Sequence, residues 1–160
     1  MSTPSTEADL AEFITSFELG SVEPTIKHEV KRTLINLLAV SLSASQHETA
    51  LALFNLIEEE GGNPRASVIS KKSKTSIYQA AFTNGYLAHL QDFDDTHFPT
   101  VLHPSAPVWP AVLAAGQALN SSGAEVLEAG IIGLEIACRA AMSVHPWHYD
   151  MGWHITGTAG

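Results

Sequence analysis

The sequence has 160 residues, 45% of them apolar and 16% charged, a composition typical of a globular protein and not of a disordered one. The formal charge of −9 argues against nucleic acid as a partner, because phosphate binding relies on clustered basic residues and only eight are scattered along this chain. The N-terminus lacks the features of a signal peptide and no apolar run reaches the ~18 residues of a membrane span, so we expect a cytoplasmic protein with no membrane partner.

Apolar residues recur at three- and four-residue steps along the chain, and this pattern predicts helices. The first covers residues 8–19, and the second begins at Pro24, which suits a first helical turn. Residues 45–48 (SQHE) have the spacing of a capping box, which predicts that Ser45 begins a third helix. Residues 65–70 are short and β-branched and predict at most one short strand, with no second strand to pair with it.

Further helices are predicted over residues 76–90 and from about Ala106 to Leu119. Gly85 inside the former indicates close approach of another element, since glycine there costs roughly 1 kcal/mol relative to alanine. A second capping box at 122–125 (SGAE) precedes a helix that is apolar almost all round, which is typical of a central helix. The fold class is therefore predicted as all-α, a helical bundle forming one domain over residues 1–160.

The segment 84–110 (NGYLAHLQDFDDTHFPTVLHPSAPVWP) concentrates titratable side chains between two predicted helices. It contains three aspartates and three histidines, namely Asp92, Asp94, Asp95, His89, His97 and His103. Catalytic groups often collect on loops held by rigid elements, so we predict a structured loop that carries a functional site. A later aromatic and histidine-rich loop at 145–154 (HPWHYDMGWH) is a candidate to join it.

Three kinds of chemistry suit such a cluster to different degrees. Histidine and carboxylate ligands fit zinc or non-haem iron, but the spacing matches no helix-borne metal motif such as H-E-x-x-H, and close aspartates often cap turns. A serine nucleophile is disfavoured because Ser105 lies in HPSAP and not in G-x-S-x-G. Metal-free acid–base chemistry by histidine, with aspartate fixing the tautomer, is the preferred hypothesis.

The same residues carry a resemblance to a known family. The succession NGYLAHLQDFDDTH…HPSAPVWPAVLAAGQAL resembles the signature of the MmgE/PrpD family, which includes 2-methylcitrate dehydratase, cis-aconitate decarboxylase and iminodisuccinate epimerase. Residues 27–45, 61–85 and 152–160 are similar to other parts of the family's pattern, with Asn36 where an aspartate is usual. The resemblance implies the N-terminal part of a large helical domain, which a smaller α/β lid completes in whole members, and a homodimer.

The resemblance also implies a lyase or isomerase that acts on small polycarboxylates without metal or organic cofactor, with 2-methylcitrate dehydration as the favoured reaction. It implies catalytic roles for His103, His154 and Asp92, in which Asp92 orients an imidazole. Substrate-binding roles are predicted for Thr96, Asp95 and His97. Because the sequence stops before the family's pocket lysines and lid, we expect this chain to need a missing C-terminal portion and to be inactive alone. The alternative is a catalytically silent fragment that serves as an interaction or assembly domain.

Overall fold

The computed structural model describes residues 5–160, and helices dominate this part of the chain. In chain order they are α1 (Thr6–Ser16), α2 (Pro24–Ala44), α3 (Glu48–Glu60), α4 (Ile77–His89), α5 (Ser105–Leu119), α6 (Gly123–Val144), α7 (Trp147–Asp150) and α8 (Ile155–Ala159), with a 3-10 turn at Leu19–Ser21. Two short strands, β1 (Ala66–Ser67) and β2 (Lys74–Thr75), pair with each other. The mostly helical fold class is confirmed, while the first four residues of the predicted domain lie outside the described part.

Local capping explains where several of these helices begin. Pro24 occupies the first turn of α2, where its missing N–H costs nothing. The Ser76 hydroxyl accepts the Gln79 N–H at 3.2 Å and so caps α4. Ser122 and Glu125 form the reciprocal capping box predicted for α6. In none of the helices within residues 5–160 is an apolar stretch long enough to cross a membrane.

The capping box predicted at residues 45–48 is wrong. The residue that caps α3 is His47, whose Nδ1 accepts the Thr49 N–H at 3.3 Å. Ser45 belongs to the end of the preceding helix, where its hydroxyl donates to the Leu42 carbonyl at 2.7 Å. The Leu42 carbonyl, in the last turn of α2, therefore accepts both the backbone N–H of Ser45, at 3.3 Å, and its hydroxyl.

The prediction of a single unpaired strand is also wrong. β1 and β2 run antiparallel, with Ala66 opposite Thr75 and Ser67 opposite Lys74. Each strand has only two residues, which is too short for an alternating pattern to show in the sequence. The side chain of Asn84, buried in α4, holds the first strand, because its amide donates to the Ser67 carbonyl at 3.0 Å and accepts the Ile69 N–H at 2.8 Å.

Helices α4 and α5 pack along one another at the centre of the fold. Helix α2 packs against α4, and α6 packs against α5. Gly85 allows this approach, since a Cβ there would lie 3.3 Å from the Ala106 carbonyl oxygen. That oxygen has no helical N–H to accept, because the residue four positions on is Pro110, which lies inside α5. The close approach predicted at Gly85 is confirmed. The start of α5 lies at Ser105, so that Pro110 is beyond its first turn.

Within residues 5–160, three apolar clusters form the core. One joins α3, the strands and α4 around Phe54 and Leu87, and a second joins α2, α4, α5 and α6 around Trp109. The indole of Trp109 is fully buried and donates its N–H to the Thr33 hydroxyl at 2.9 Å. The third lies beneath the loop between α4 and α5, where Leu102 packs against α6 and against Ile155 of α8.

The prediction that α6 is the central helix is not borne out. Its buried residues lie on one face only, which packs on α2, α5 and α8. Helix α5 buries more of its surface, including Trp109 and Pro110. Cys138 of α6 is half-buried, and burial raises the pKa of its thiol, which lowers the fraction of nucleophilic thiolate.

Candidate functional site

The predicted polar segment is a loop only over residues 90–104, and its two ends belong to α4 and α5. Hydrogen bonds fix this site loop on several sides. The Asn36 amide of α2 donates to the Phe93 carbonyl at 3.3 Å. Within the loop, the His97 N–H donates to the Leu102 carbonyl at 2.7 Å, and Thr100 is fully buried. The loop therefore presents its titratable side chains from a fixed backbone.

His103 lies between two carboxylates at the end of this loop. Its Nε2 is 3.7 Å from Asp92 Oδ1, and its Nδ1 is 3.5 Å from Asp94 Oδ1. The two aspartates differ sharply in environment, because the Asp94 side chain is fully buried whereas that of Asp92 is 75% exposed. His103 itself is 8% exposed. Each imidazole nitrogen thus faces a different carboxylate, one inside the protein and one at its surface.

Two further histidines complete the cluster. His89, at the end of α4, places Nδ1 at 3.1 Å from both oxygens of Asp94, and its ring centroid is 4.8 Å from that of His103. His154, just before α8, lies 5.9 Å from His103 with its ring at 24° to the His103 ring. The backbone N–H of His103 donates to the Thr156 hydroxyl at 2.9 Å, and this bond connects α8 to the site loop. The three residues predicted as catalytic, Asp92, His103 and His154, are therefore neighbours.

The residues predicted to bind substrate take different positions. Thr96 is exposed on the loop. His97 is engaged within the loop, where its Nδ1 lies 2.8 Å from the Thr100 hydroxyl. Asp95 accepts the N–H of Ser105 at 3.1 Å and its hydroxyl at 2.7 Å, and so satisfies a free amide in the first turn of α5. These contacts give Asp95 and His97 a role in holding the loop.

The environment of Asp95 also changes its ionisation. Burial raises the pKa of this carboxyl above its ordinary value, the Ser105 hydrogen bonds oppose that rise, and the nearby Asp94 adds to it. A negative charge at the start of α5 is favoured by the helix dipole, so the carboxylate still has a stabilising partner when ionised. The shift marks Asp95 as a group whose proton is held more tightly in the folded protein.

An open groove of about 570 Å³ adjoins the histidines between α4, α5 and α8. His89 and Thr156 contribute polar groups to it, and most other lining residues are apolar, including Phe82, Leu90 and Pro107. Among the residues that the structure describes, no lysine or arginine lines this groove. Lys71 lies elsewhere, paired with Glu58 at 3.2 Å. The groove can hold a small ligand, and His89 is the histidine that contacts it.

Four side chains of this cluster could supply ligands to one divalent cation. His89, Asp92, Asp94 and His103 each offer a ligand atom, and these atoms lie within 4.8 Å of one another. Histidine with carboxylate is a common ligand set for zinc and iron. A metal-bound imidazole uses one nitrogen and donates its other N–H to a carboxylate, so the position of His103 between two carboxylates suits a metal ligand as well as a hydrogen-bonded imidazole.

Sequence reasoning gave no catalytic or substrate-binding role to three groups of this site, namely His89, Asp94 and Thr156, although it placed the first two in the titratable cluster. His89 is the last residue of α4, and Asp92 lies beyond that helix with a left-handed backbone, so no helical spacing marks this pair. Nothing in the spacing distinguishes buried Asp94 from exposed Asp92. Thr156 comes close to the site only through tertiary packing, so no local sequence pattern indicates it.

Comparison with known proteins identifies the family. Residues 8–160 match the family profile described as the MmgE/PrpD N-terminal domain. The chain belongs to the MmgE/PrpD family. The resemblance inferred from the sequence is thereby confirmed, and the chain is a domain of a lyase family.

Several relatives of this MmgE/PrpD chain are cis-aconitate decarboxylases. Those of Mus musculus and Homo sapiens are each 42% identical over 64 residues, covering 38% of this chain and 13% of the relative. That of Aspergillus terreus is 31% identical over 99 residues, covering 58% of this chain and 20% of the relative. The matched segments thus span a fifth or less of the length of these curated relatives.

Proposed function

We propose that this chain carries the histidine–aspartate part of the active site of a lyase that acts on small polycarboxylates. The observation that carries the proposal is the placement of His103 between Asp92 and Asp94, with His154 at 5.9 Å. Membership of the MmgE/PrpD family and the decarboxylase names of its relatives support the substrate class.

The proposed chemistry is proton transfer by the two imidazoles. In a dehydration, neutral His103 takes the proton from a carbon next to a carboxylate, and the electron pair of the C–H bond forms the new C=C bond. The C–O bond breaks, and the departing hydroxyl takes a proton from His154 and leaves as water. In a decarboxylation, the C–C bond to a carboxylate breaks, CO2 leaves, and the remaining electron pair takes a proton from an imidazole. Positioned groups of this kind contribute roughly 10²–10⁴-fold each.

The substrate carboxylates need donors and positive charge. The exposed hydroxyl of Thr96 is proposed to donate to one carboxylate. Because no lysine or arginine of the described chain lines the groove, we propose that cationic groups come from elsewhere in the enzyme and that this chain alone is inactive. The homodimer and the cytoplasmic location remain predictions.

Two substrates test the reaction type. The sequence favours 2-methylcitrate, which would lose water, and the names of the relatives add cis-aconitate, which would lose CO2. We propose a hydro-lyase or a decarboxylase of this class, and product analysis with each substrate distinguishes them. Turnover of neither by the enzyme as its gene encodes it would contradict the proposed substrate class.

Substitution of His103 tests the mechanism. In the complete enzyme we expect His103→Ala to lower kcat by about 10²–10⁴-fold, because a positioned proton-transfer group is lost. His28→Ala is the matched control, since His28 is exposed on α2 and should leave kcat unchanged. A near wild-type rate for His103→Ala would remove His103 from the mechanism.

The two alternatives, a silent fragment and a metal centre, each predict a different experimental result. For the silent fragment, the purified 160-residue chain should turn over neither substrate, and activity from it alone would contradict both that reading and the proposed need for other parts. For a metal centre, elemental analysis should find near-stoichiometric metal and chelators should abolish turnover. Full activity after chelation, with no bound metal, would rule the metal centre out.

A further inference from the structure

We infer that Asp94, and not Asp92, is the positioning residue for the site histidines, and that it fixes the tautomers of His103 and His89 together. The inference deepens the proposed function and rests on it for its catalytic consequence. The assignment of the proton to one nitrogen of each ring does not depend on the proposed function, because it is argued from contacts and burial alone.

Burial separates the two aspartates. The Asp94 side chain is fully buried, whereas the Asp92 side chain is 75% exposed. A hydrogen bond to a carboxylate in a low-dielectric interior is stronger than one at the surface, where water competes and screens. Asp94 can therefore hold an imidazole in one orientation, while Asp92 remains free to face the substrate.

The position of His103 favours a proton on Nδ1, the ring nitrogen that faces the buried Asp94 carboxylate. Its Nδ1 is buried and has no hydrogen-bond partner within the described chain, and Asp94 Oδ1 lies 3.5 Å from it. A proton on Nδ1 points an N–H at this carboxylate, whereas the other neutral tautomer would leave a lone pair facing the carboxylate oxygen in a buried site. The proton therefore belongs on Nδ1, and Nε2 presents its lone pair on the side of Asp92.

His89 uses the same carboxylate. Its Nδ1 lies 3.1 Å from both oxygens of Asp94, which makes it the closer of the two imidazoles. The two rings are 4.8 Å apart, and His89 lines the groove. One buried carboxylate thus faces Nδ1 of both imidazoles, at 3.1 Å from His89 and 3.5 Å from His103, and each ring keeps Nε2 for other partners.

The test is histidine-selective ¹⁵N NMR of the complete enzyme. In the wild type we expect His103 and His89 to be Nδ1–H tautomers. Asp94→Asn offers one amide oxygen and one N–H in place of two acceptor oxygens, so at least one ring should change to the Nε2–H tautomer. Asp92→Asn is the matched control and should leave both rings as Nδ1–H. A wild-type His103 with its proton on Nε2 would overturn the inference, even if Asp94→Asn failed to fold.

Kinetics of the same variants separate positioning from simple destabilisation. Asp94→Asn should lower kcat on the order of 10²-fold while changing KM less than about threefold, because it disturbs an imidazole that acts mainly in the transition state. Unchanged tautomers together with unchanged kcat would contradict the role of Asp94. If the tautomers change but His103→Ala does not slow the enzyme, the proposed function fails and the assignment of Asp94 stands.

Discussion

At the scale of single residues, Val101 shows strain next to the site. Its backbone is left-handed, with φ at 58°, a conformation that costs a β-branched residue of order 1–3 kcal/mol. The turn is held by N–H groups of Thr100 and Val101 donating to the His97 carbonyl at 3.1 and 2.9 Å. The strained residue lies two positions before His103, so the turn that stores strain also places the imidazole.

Relief of this strain should raise stability. We expect Val101→Asn to increase the free energy of unfolding by about 1 kcal/mol, because asparagine tolerates the left-handed region better than valine. Urea denaturation measures the change. Val22→Asn is the control, since Val22 has φ at −79° and packs against the core, so that variant should lose stability. A loss of stability in Val101→Asn would show that the turn is not strained.

The raised pKa of Asp95 predicts a pH dependence of stability. The folded protein binds this proton more tightly than the unfolded chain, so the contribution is present below the unfolded pKa, about 3.9, and is lost as pH rises through the higher folded pKa. Relative to Asp95→Asn, the wild type should therefore lose stability as pH rises from that value. Urea denaturation of both proteins across pH measures the difference, and a difference that grows with pH would contradict it.

Glu125 provides a control of opposite sign. Hydrogen bonds from Ser122, first from its backbone N–H, lower the pKa of this exposed carboxyl in the folded protein. Its stabilising contribution is therefore present above the unfolded pKa and is lost as pH falls. The wild type should gain stability relative to Glu125→Gln as pH rises, opposite to the Asp95 pair.

The residues of the site could be predicted from the sequence only in part. Asp92, His103 and His154 were accessible because the family resemblance singles them out, and the structure places them together. Asp94 was not, because its distinction from Asp92 is burial, a property of the whole fold. Their roles in catalysis remain predictions.

At the scale of elements, glycine sets the fit of α6 on α5. A Cβ at Gly130 would lie 2.2 Å from the indole ring of Trp109, which is fully buried. Glycine inside a helix costs about 1 kcal/mol relative to alanine, and this contact gives the reason for it here. The two helices can be this close only because Gly130 has no side chain.

Filling that space should destabilise the protein. We expect Gly130→Ala to lower the free energy of unfolding by about 1–3 kcal/mol despite the better helix propensity of alanine, because the indole cannot move out of a packed core. Gly123→Ala is the control, since a Cβ there meets no atom within 4 Å and should be neutral or stabilising. Chemical denaturation compares them, and equal stabilities would contradict the tight contact.

Helix positions and several helix ends were predictable, including the starts of α2 and α6, whereas the boundary between α2 and α3 was not. Apolar periodicity gave the long helices, because their buried faces repeat over several turns. The end of α2 and the start of α3 depend on whether Ser45 donates to a carbonyl or accepts an amide, and both uses suit the same residue. The two-residue strands are formed by tertiary pairing and by Asn84, so no local pattern marks them.

At the scale of the whole molecule, large apolar side chains remain on the surface. On α4, Tyr78 and Phe82 are 87% and 66% exposed and lie four residues apart on one face, beside the groove. Other exposed apolar residues surround α7, including Trp147, Met151 and Trp153. An exposed apolar helix face such as that of α4 often marks an interaction site.

The 160-residue chain should therefore associate when purified alone. We expect sedimentation velocity to show concentration-dependent association at micromolar protein, because the α4 face would be removed from water. Substituting Tyr78 and Phe82 together by serine should weaken it. Phe98→Ser is the control, because Phe98 is equally exposed but lies on the site loop. A monomer over the whole range of protein concentrations would contradict self-association through the α4 face.

The hydrogen bond from the backbone N–H of His103 to the Thr156 hydroxyl joins two segments of the site. His103 ends the site loop and His154 precedes α8, so this bond, with the fully buried Ile155 beside it, clamps the two segments that carry the imidazoles. In the proposed mechanism, this contact restrains the spacing between the proton acceptor and the proton donor, whose rings are 5.9 Å apart, so the substrate meets two imidazoles whose relative position is already set.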